Sequence, residues 1–392
     1  MTEISSHHES FSARIWRKTL DGVGVKFGLC WIFVLVFAAV FAPFLANSMP
    51  LLMCKNGSIS APVLHYLTVE DVWVLTVFFL ALIIYKLRLK TGKRILLFLA
   101  GSAIAAVVVN VLIKPPVLVI YDDFRSSAFT GVDWRIMPPI PYAPSDYLRD
   151  QGSKGLEAPL ATENATHLMG TEENGADVLS RMIHACRISL SIGFISSGIA
   201  LVIGVIVGGL MGYFSGLVDM LGMRVVEIFE DIPTLFLLLT FVAFFGRSLY
   251  MMMIIIGITG WSGYARYVRT EFLKLRKQDF VQAAVASGLP LSSILFRHML
   301  PNGVAPLLVA LSFGVAGAIL SEATLSFLGL GVVDAPSWGQ MLDQAVKSST
   351  FNWWMAVFPG GAIFMTVFAY NVIGEAFRDA IDPQISRKAG VN

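Results

Sequence analysis

The chain has 392 residues, of which 56% are hydrophobic and 14% are charged, and its formal net charge is only +2. A soluble domain carries about 25% charged residues, so this balance indicates an integral membrane protein, and the small net charge argues against nucleic-acid binding. The three cysteines, Cys30, Cys54 and Cys186, are too far apart to form a disulfide framework or a Cys-x-x-Cys metal site.

The N-terminal region combines a polar leader, residues 1–26, with an apolar run from Leu29 to Ala46. This run has 18 residues, whereas the apolar core of a signal peptide has roughly 7–15. We therefore predict a retained first spanning helix. Two neighbouring histidines in the leader, His7 and His8, do not complete a metal site by themselves, so none is predicted.

Long apolar segments recur along the chain. A spanning helix needs about 20 mostly apolar residues, and seven or eight segments approach that length: Phe27–Ala46, Val72–Tyr85, Ile95–Ile113, Ile188–Tyr213, Ile232–Phe245, Leu249–Gly263, Val304–Ala323 and Trp353–Ile373. The second segment is the weakest because it has only 14 residues. The pattern predicts an all-α, polytopic helical bundle, and eight spans would put both termini on one side of the membrane.

Basic residues predict the orientation. The loop Lys86–Arg94 has five basic residues and no acidic residue, and the leader is also basic, so both are predicted to be cytoplasmic. The predicted organisation is a cytoplasmic leader 1–26, three N-terminal spanning helices within 27–114, a proline-rich external segment 115–187, a transmembrane domain 188–378 that contains a cytoplasmic loop 264–303, and a cytoplasmic tail 379–392.

The fourth span has a glycine at every fourth position: Gly204, Gly208, Gly212 and Gly216. Residues four apart lie on the same face of a helix, so these glycines predict a smooth stripe against which another helix can pack closely. The stripe alone indicates ordinary helix packing and not a moving part.

The loop from Tyr264 to Asn302 is much longer and more basic than a simple helix connection needs. Phe280–Gly288 is predicted to form a short helix with Ala283, Ala284 and Ser287 on one side. Gly288 provides a left-handed stop, and Leu291–Leu300 forms a second helix that Pro301 ends. Such a rigid helix–turn–helix knob could receive a push from another protein.

Acidic residues near the spans are the other candidates. Glu322 lies near the outer end of the seventh span, where it could line a pathway or gate, or make a structural hydrogen bond. Glu227, Glu230 and Asp231 are interpreted as a solvated helix entrance and not as an ion site.

The sequence has no Gly-x-x-x-x-Gly-Lys-Ser/Thr loop, His-Glu-x-x-His or Gly-x-Ser-x-Gly motif, so neither ATPase nor other catalytic activity is predicted.

Several motifs resemble those of one transporter family. Gln282-Ala283-Ala284-x-x-x-Gly288, followed after eleven residues by Leu300-Pro301, resembles the coupling-loop motif of permeases in ATP-binding-cassette importers. The resemblance also rests on Gly170–Arg181, Arg187–Leu190, Phe296–Asn302, Glu322–Gly331, Pro336–Gly339 and Arg378–Pro383. Together these motifs are similar to the second permease of dipeptide, oligopeptide and nickel importers, and Ala46–Leu52 with Asn56–Ser58 looks most like the Yej-type oligopeptide branch.

The resemblance implies a type I importer permease fold with extra N-terminal transmembrane helices, in the bacterial inner membrane. It also implies a sister permease, two cytoplasmic ATP-binding subunits that hold ATP and Mg²⁺, and an external substrate-binding protein. This chain itself would bind no cofactor. The implied substrate is an oligopeptide or dipeptide, carried by alternating access. Nickel or another small solute, and a receptor or sensor role, stay open as alternatives.

The sequence departs from the family pattern at two positions. Gln282 stands where the family commonly has Glu, and Ala176 stands where Arg is common. Glutamine can form a hydrogen bond but not an ion pair, so the first departure puts a charge-assisted contact from this position in doubt.

Overall fold

The computed structural model describes residues 19–20, 22–116, 119–121, 124, 132–148, 152, 155–161, 167–332 and 335–381. Most of the leader with His7 and His8, parts of the external segment, and the tail after residue 381 lie outside the described residues. The described residues fall into two compact units. Unit 1 comprises those within Met1–Phe33, Ser189–Asp334 and Gly360–Asn392, and unit 2 comprises those within Val34–Ile188 and Ala335–Pro359.

Helices make up most of the described chain, which confirms the predicted all-α helical bundle. The longer helices are α1 (Val23–Leu45), α3 (Val69–Lys86), α4 (Thr91–Leu112), α5 (Val178–Phe214), α6 (Gly216–Asp231), α7 (Thr234–Phe245), α8 (Leu249–Thr259), α9 (Trp261–Leu275), α10 (Asp279–Ala286), α13 (Val304–Leu325), α14 (Trp338–Lys347) and α15 (Trp353–Ile381). The short helices are α2 (Pro62–His65), α11 (Leu291–Ser293) and α12 (Leu300–Asn302).

Five of the described helices are long and apolar enough to cross a membrane: Val23–Leu45, Gly92–Leu112, Val178–Phe214, Val304–Leu330 and Trp353–Ala380. A sixth span results if α6 and α7, which meet at an angle of 82°, are counted together. The predicted second span forms α3, whose 18 residues include Glu70, Asp71 and Lys86. The predicted sixth span is interrupted at Gly260, so α8 has only 11 residues.

In unit 1, the first residues of α1 pack closely on α15. A Cβ at Gly28 would lie 3.3 Å from the carbonyl oxygen of Ala369, so the glycine allows the two backbones to approach. The indole Nε1 of Trp31 donates a hydrogen bond of 3.0 Å to Oγ1 of the buried Thr366. This hydrogen bond fixes the rotation of α1 about its own axis relative to α15.

Unit 2 contains a small antiparallel sheet that joins the connection between the first and second predicted spans to the predicted external segment. Its strand order is β2–β1–β3, with β1 at Leu52–Lys55, β2 at Ser58–Ser60 and β3 at Val132–Ile136. β1 and β2 are joined by the two-residue turn Asn56-Gly57, where φ is 50° and 75°. Positive φ at both positions is typical of a type I′ hairpin turn, for which Asn-Gly is the preferred sequence.

Candidate coupling site

The loop that follows α8 is built on one buried apolar cluster in unit 1. The cluster comprises Val268, Phe272, Val281, Ala284, Ile294, Leu295, Met299 and Leu307. These residues come from α9, α10, the segment after α10 and α13. The short helix α10 is therefore held in place by packing on both its neighbours in sequence, as a rigid projecting element requires.

Helix α10 has a buried face and an exposed face. Val281 and Ala284, three residues apart, are buried, whereas Gln282 and Ala283 are exposed. The prediction that Ala283, Ala284 and Ser287 lie on one side of this helix is therefore wrong for Ala284, because the helical period turns Ala284 into the apolar cluster. The exposed small side chains of the helix and its cap are Ala283, Ala286 and Ser287.

Gly288 ends α10 with φ of +70°, which confirms the predicted left-handed stop. The amide of Gly288 donates to the carbonyl of Val285 at 3.0 Å, and the amide of Leu289 donates to that of Ala284 at 3.3 Å. Among the described residues, no atom lies within 4 Å of the position that a Cβ at Gly288 would take. The backbone conformation, and not a lack of space, therefore favours glycine here.

The second arm of the loop starts at Leu291, as predicted, but does not end before Pro301. It continues from α11 through a π-helical turn, Ile294–Met299, into α12, and the helical stretch breaks at Gly303, where φ is −100° and ψ is 6°. The proline occupies the first turn of α12, a position at which its missing N–H is tolerated. The predicted end of this helix is therefore wrong by two residues.

The side chain of Gln282 contacts the loop itself. Its Nε2 donates a hydrogen bond of 2.7 Å to the main-chain oxygen of Arg276, just before α10. An ionised glutamate at this position has no proton to donate to a carbonyl. Gln282 therefore fastens the N-terminal end of the knob to its own chain. Of the other motif residues, Leu300 is half-buried and Pro301 is exposed.

Ion pairs tie α6 to α9. Arg269 forms a two-point hydrogen bond with Asp219, whose longer branch, from Nη2 to Oδ2, is 2.7 Å, and Arg266 pairs with Glu230. Glu230 is one of the three acidic residues that were predicted to form a solvated helix entrance. Its neighbour Glu227 pairs with Arg224 on the surface, so these acids lie among basic partners and solvent.

Three of the four glycines in the predicted stripe contact α9. A Cβ at Gly204 would lie 2.4 Å from Tyr264 Cβ, one at Gly208 would lie 2.3 Å from the carbonyl oxygen of Ala265, and one at Gly212 would lie 2.6 Å from Phe272 Cβ. Gly216 is not part of this contact. It starts α6 with φ of +59°, and among the described residues no atom lies within 4 Å of where its Cβ would be.

Glu322 is completely buried within unit 1. Its Oε1 accepts a hydrogen bond of 2.6 Å from the Ser326 hydroxyl, one helical turn later. Ser326 begins a π-helical turn that ends α13, with Gly329 in the left-handed region. This contact favours the structural alternative for Glu322, and a role in a pathway or gate stays a prediction.

Unit 2 contains a buried charged cluster that the sequence analysis did not predict. Arg181 Nε lies 2.9 Å from Glu172 Oε1, and His167 Nδ1 lies 2.8 Å from Asp177 Oδ2. Asp177 also caps α5, since its Oδ1 accepts from the amide of Ser180 at 2.7 Å. All these groups are nearly inaccessible to solvent.

Burial in this cluster disfavours the charged form of the Glu172 carboxyl group. Burial raises the pKa of its carboxyl group from 4.5 to about 7, although the Arg181 guanidinium beside it acts in the opposite direction. The amide of Gln344, with its nitrogen oriented toward the carboxylate, donates to Glu172 Oε2 at 2.6 Å. Glu172, Asp177 and Arg181 all belong to the motif Gly170–Arg181. These charged residues lie just before and in the first turn of an apolar helix, and this pattern is the only local sequence signal for the cluster.

The fold and the exposed loop define a class of protein: a multi-pass membrane protein with an exposed helix–turn–helix knob. The family model described as "Binding-protein-dependent transport system inner membrane component" matches residues 202–387. The oligopeptide transport system permease protein OppC of Haemophilus influenzae is 38% identical over 57% of this chain and 72% of its own length. The dipeptide transport system permease protein DppC of Alkalihalophilus pseudofirmus is 36% identical over 62% of this chain and 78% of its own length.

A solved structure of the MetNI methionine ABC transporter, in an inward-facing conformation, covers 51% of this chain and 96% of its own chain, with 19% identity and a TM-score of 0.43. On the sequence matches, the chain belongs to the family of binding-protein-dependent transport system inner membrane components, and it is a permease of the OppC/DppC type. It is thus the transport subunit of an ATP-binding-cassette importer in the inner membrane, where ATPase subunits and a binding protein are its general partners.

Proposed function

We propose that this permease carries oligopeptides or dipeptides, by alternating access. The names of its relatives, which are oligopeptide and dipeptide permeases, support this substrate class. The Yej-type resemblance of residues 46–58 supports the oligopeptide branch. Import of nickel or another small solute is the alternative, because an external binding protein would select the substrate.

The proposed partner of the knob is the cytoplasmic ATPase. The observation that carries this proposal is the exposure of Ala283, Ala286 and Ser287 on a helix whose opposite face is locked into the apolar cluster. A fixed helix with a smooth exposed side transmits a push, whereas a loosely packed loop would absorb it. In this arrangement α8 and α13 would respond to ATP binding on the partner.

We further propose how the chain assembles with its partners and how it is oriented in the membrane. A sister permease completes the translocation path, and both termini and the loop 264–303 lie in the cytoplasm, as the basic loop Lys86–Arg94 supports. ATP and Mg²⁺ would be held by the partner ATPases, and this chain would perform no catalysis.

Purification in mild detergent followed by mass spectrometry tests the assembly. A second permease and ATP-binding subunits are expected, whereas signalling enzymes in their place would favour the receptor alternative.

Gly288→Val tests the coupling role. Valine has space at this position but is strained at φ of +70°, so we expect the variant to lose peptide uptake or to release the ATPase. Gly288→Asn should retain most uptake, because asparagine tolerates the left-handed region. Gly263→Val is the control, since this exposed glycine in α9 also has no close neighbour among the described residues. Full transport by Gly288→Val would contradict the coupling role.

The substrate class is tested by whole-cell uptake. Cells with and without this chain are given a labelled tripeptide or radioactive nickel at matched concentrations. Uptake of the tripeptide that depends on the chain is expected. Uptake of nickel in preference to the peptide would overturn the substrate proposal and leave the permease assignment unchanged.

A further inference from the structure

Unit 1 contains a cavity of about 220 Å³ between α5, α8, α9 and α13, with the first residue of α7 at its edge. Its polar lining residues are Ser196, Ser197, Thr234, Thr259, Tyr264 and Ser321. The remaining lining residues are glycine, alanine and isoleucine, so none of the described residues around the cavity carries a charge. The cavity is distinct from the coupling knob and from Glu322, neither of which lines it.

Two hydroxyl groups in this cavity lack ordinary structural partners. Tyr264 is 6% exposed and Ser197 is 3% exposed. Within the described residues, the hydroxyl of Tyr264 has only that of Ser197 as a partner, and neither has a further hydrogen-bonding partner. By contrast, the hydroxyl of Ser196 donates to the main-chain oxygen of Met253 at 2.9 Å. Leaving a buried hydroxyl unsatisfied is costly, so the pair has free capacity for a ligand.

The facing side of the cavity is formed by a smooth strip of α13. Gly314 lies directly against the tyrosine ring, since a Cβ there would fall 1.7 Å from the Tyr264 hydroxyl oxygen. At Gly317, three residues later, among the described residues no atom lies within 4 Å of the Cβ position. The tyrosine hydroxyl is thus held next to a glycine, and the next glycine leaves open space beside it.

We propose that this cavity receives the main chain of a peptide in transit, with Tyr264 and Ser197 hydrogen-bonding to its amide groups. This inference rests on the proposed peptide-import function and names its contact site. Hydroxyl groups can both donate and accept, which matches the N–H and C=O of a peptide unit. An uncharged lining neither attracts nor repels particular charged side chains, and a carrier of varied peptides must recognise the part that they share.

The size of the cavity fits this role. Complete ligand pockets measure about 300–1,000 Å³, so 220 Å³ holds only part of a peptide. A site of this kind would guide one segment of the substrate while the rest lies in the remaining path. Occupation by a side chain of the sister permease is the competing explanation, and the experiments below distinguish it.

Tyr264→Phe removes one hydroxyl without changing the packing of the ring. The measurement is uptake of a labelled tripeptide, at varied concentration, by the complete transporter with its binding protein. Because the binding protein captures peptide before the cavity is reached, we expect the maximal rate to fall roughly 3- to 10-fold, the effect of one lost hydrogen bond, with the half-saturating concentration unchanged.

Tyr370→Phe is the matched control. Tyr370 is also 6% exposed, and its hydroxyl has no hydrogen-bonding partner among the described residues, but it lies outside the cavity. We expect its variant to transport at the wild-type rate. Equal rates for the wild type and both variants, or equal losses in both variants, would overturn the assigned contact.

Gly317→Leu fills the cavity from a position with open space, and Gly361→Leu, at an equally open glycine of α15 outside the cavity, is its control. The probe is a tripeptide with a benzophenone group, photo-crosslinked during ATP-driven import. We expect crosslinks to Ser196–Ala200 or Gly314–Ser321 that disappear in Gly317→Leu and persist in Gly361→Leu, with the complex intact.

Failure of the cavity assignment and failure of the proposed peptide function give different results. Crosslinks only to the sister permease, or loss of the sister permease from purified Gly317→Leu, would show that the partner fills the cavity and would overturn this inference. Failure of the wild-type transporter to import the tripeptide would instead overturn the proposed peptide function. Wild-type import with normal import by both Tyr264→Phe and Gly317→Leu would overturn only the cavity assignment.

Discussion

Each of the two units of the chain is stabilised internally by a different kind of contact. In unit 1, glycines let α5 and α9 approach backbone to backbone, and the ion pairs, such as Arg266 with Glu230, are partly or largely exposed. In unit 2, one ion pair, Glu172 with Arg181, is buried, and a second, Asp71 with Arg187 at 2.5 Å, is largely buried. Close packing is sensitive to added volume, whereas a buried ion pair is sensitive to loss of a partner.

Each unit is therefore sensitive to a different kind of substitution. A methyl group added at the glycine contact of unit 1 meets main-chain atoms that cannot turn aside. A proton added to or removed from the cluster of unit 2 changes a charge that water does not screen. Substitutions that change volume should therefore act mainly through unit 1, and changes of charge or pH should act mainly through unit 2.

The largest expected effect is that of Arg181→Met in unit 2. The variant leaves the carboxylate of Glu172 buried without its cation, which should lower the free energy of unfolding by about 3–5 kcal/mol at pH 8. At pH 5 the loss should be smaller, because Glu172 is then protonated and needs no cation. Thermal unfolding of the purified protein in detergent measures both values.

The control for this variant is Arg224→Met, which removes an exposed arginine from a surface pair in unit 1. Its cost should not exceed about 1 kcal/mol at either pH. Equal losses in the two arginine variants would contradict the difference between the units.

The second effect is a pH dependence that Glu172 confers on stability. Its pKa is raised from 4.5 to about 7 by burial, so between these values the folded protein binds more protons than the unfolded chain. The contribution is therefore fully present below pH 4.5 and is lost as the pH rises to 7, by an amount on the order of 3 kcal/mol. Glu172→Gln, which stays neutral, should not show this loss.

The measurement compares melting temperatures of the wild type and Glu172→Gln at pH 5 and pH 8. The variant should gain stability relative to the wild type as the pH rises, and the comparison cancels groups that titrate in both proteins. A difference between the two proteins that is the same at both pH values would refute the role of Glu172.

Local signals in the sequence predicted the local parts of the coupling site. The left-handed stop at Gly288 and the helix start after Pro290 depend on the backbone preferences of glycine and proline, and the structure confirms both. Whether Ala284 faces solvent depends on what packs against α10, which the sequence of the loop does not contain. The same holds for Pro301, whose position is set by the π-helical turn before it.

In unit 2, the hairpin has a local sequence signal, whereas the buried charged cluster has none that gives its pairing. Asn56-Gly57 between two short runs is a strong hairpin signal, and the structure has a hairpin there. The pairing of Glu172 with Arg181 and Gln344 brings together side chains from a loop, α5 and α14. Such a contact depends on the fold as a whole and could not be derived from spacing.

The smallest effect expected is that of Gly208→Ala in unit 1, at about 1–3 kcal/mol. The new methyl group would lie 2.3 Å from the main-chain oxygen of Ala265, so α5 and α9 must separate. Gly198→Ala in the same helix is the control, because no described atom lies within 4 Å of its Cβ position, and replacing glycine by alanine in a helix there should be neutral or stabilising. Thermal unfolding at pH 5 and pH 8 should show the same loss for Gly208→Ala at both values. A loss that varied with pH, or an equal loss in the Gly198 variant, would mean that the contact of unit 1 is not governed by volume.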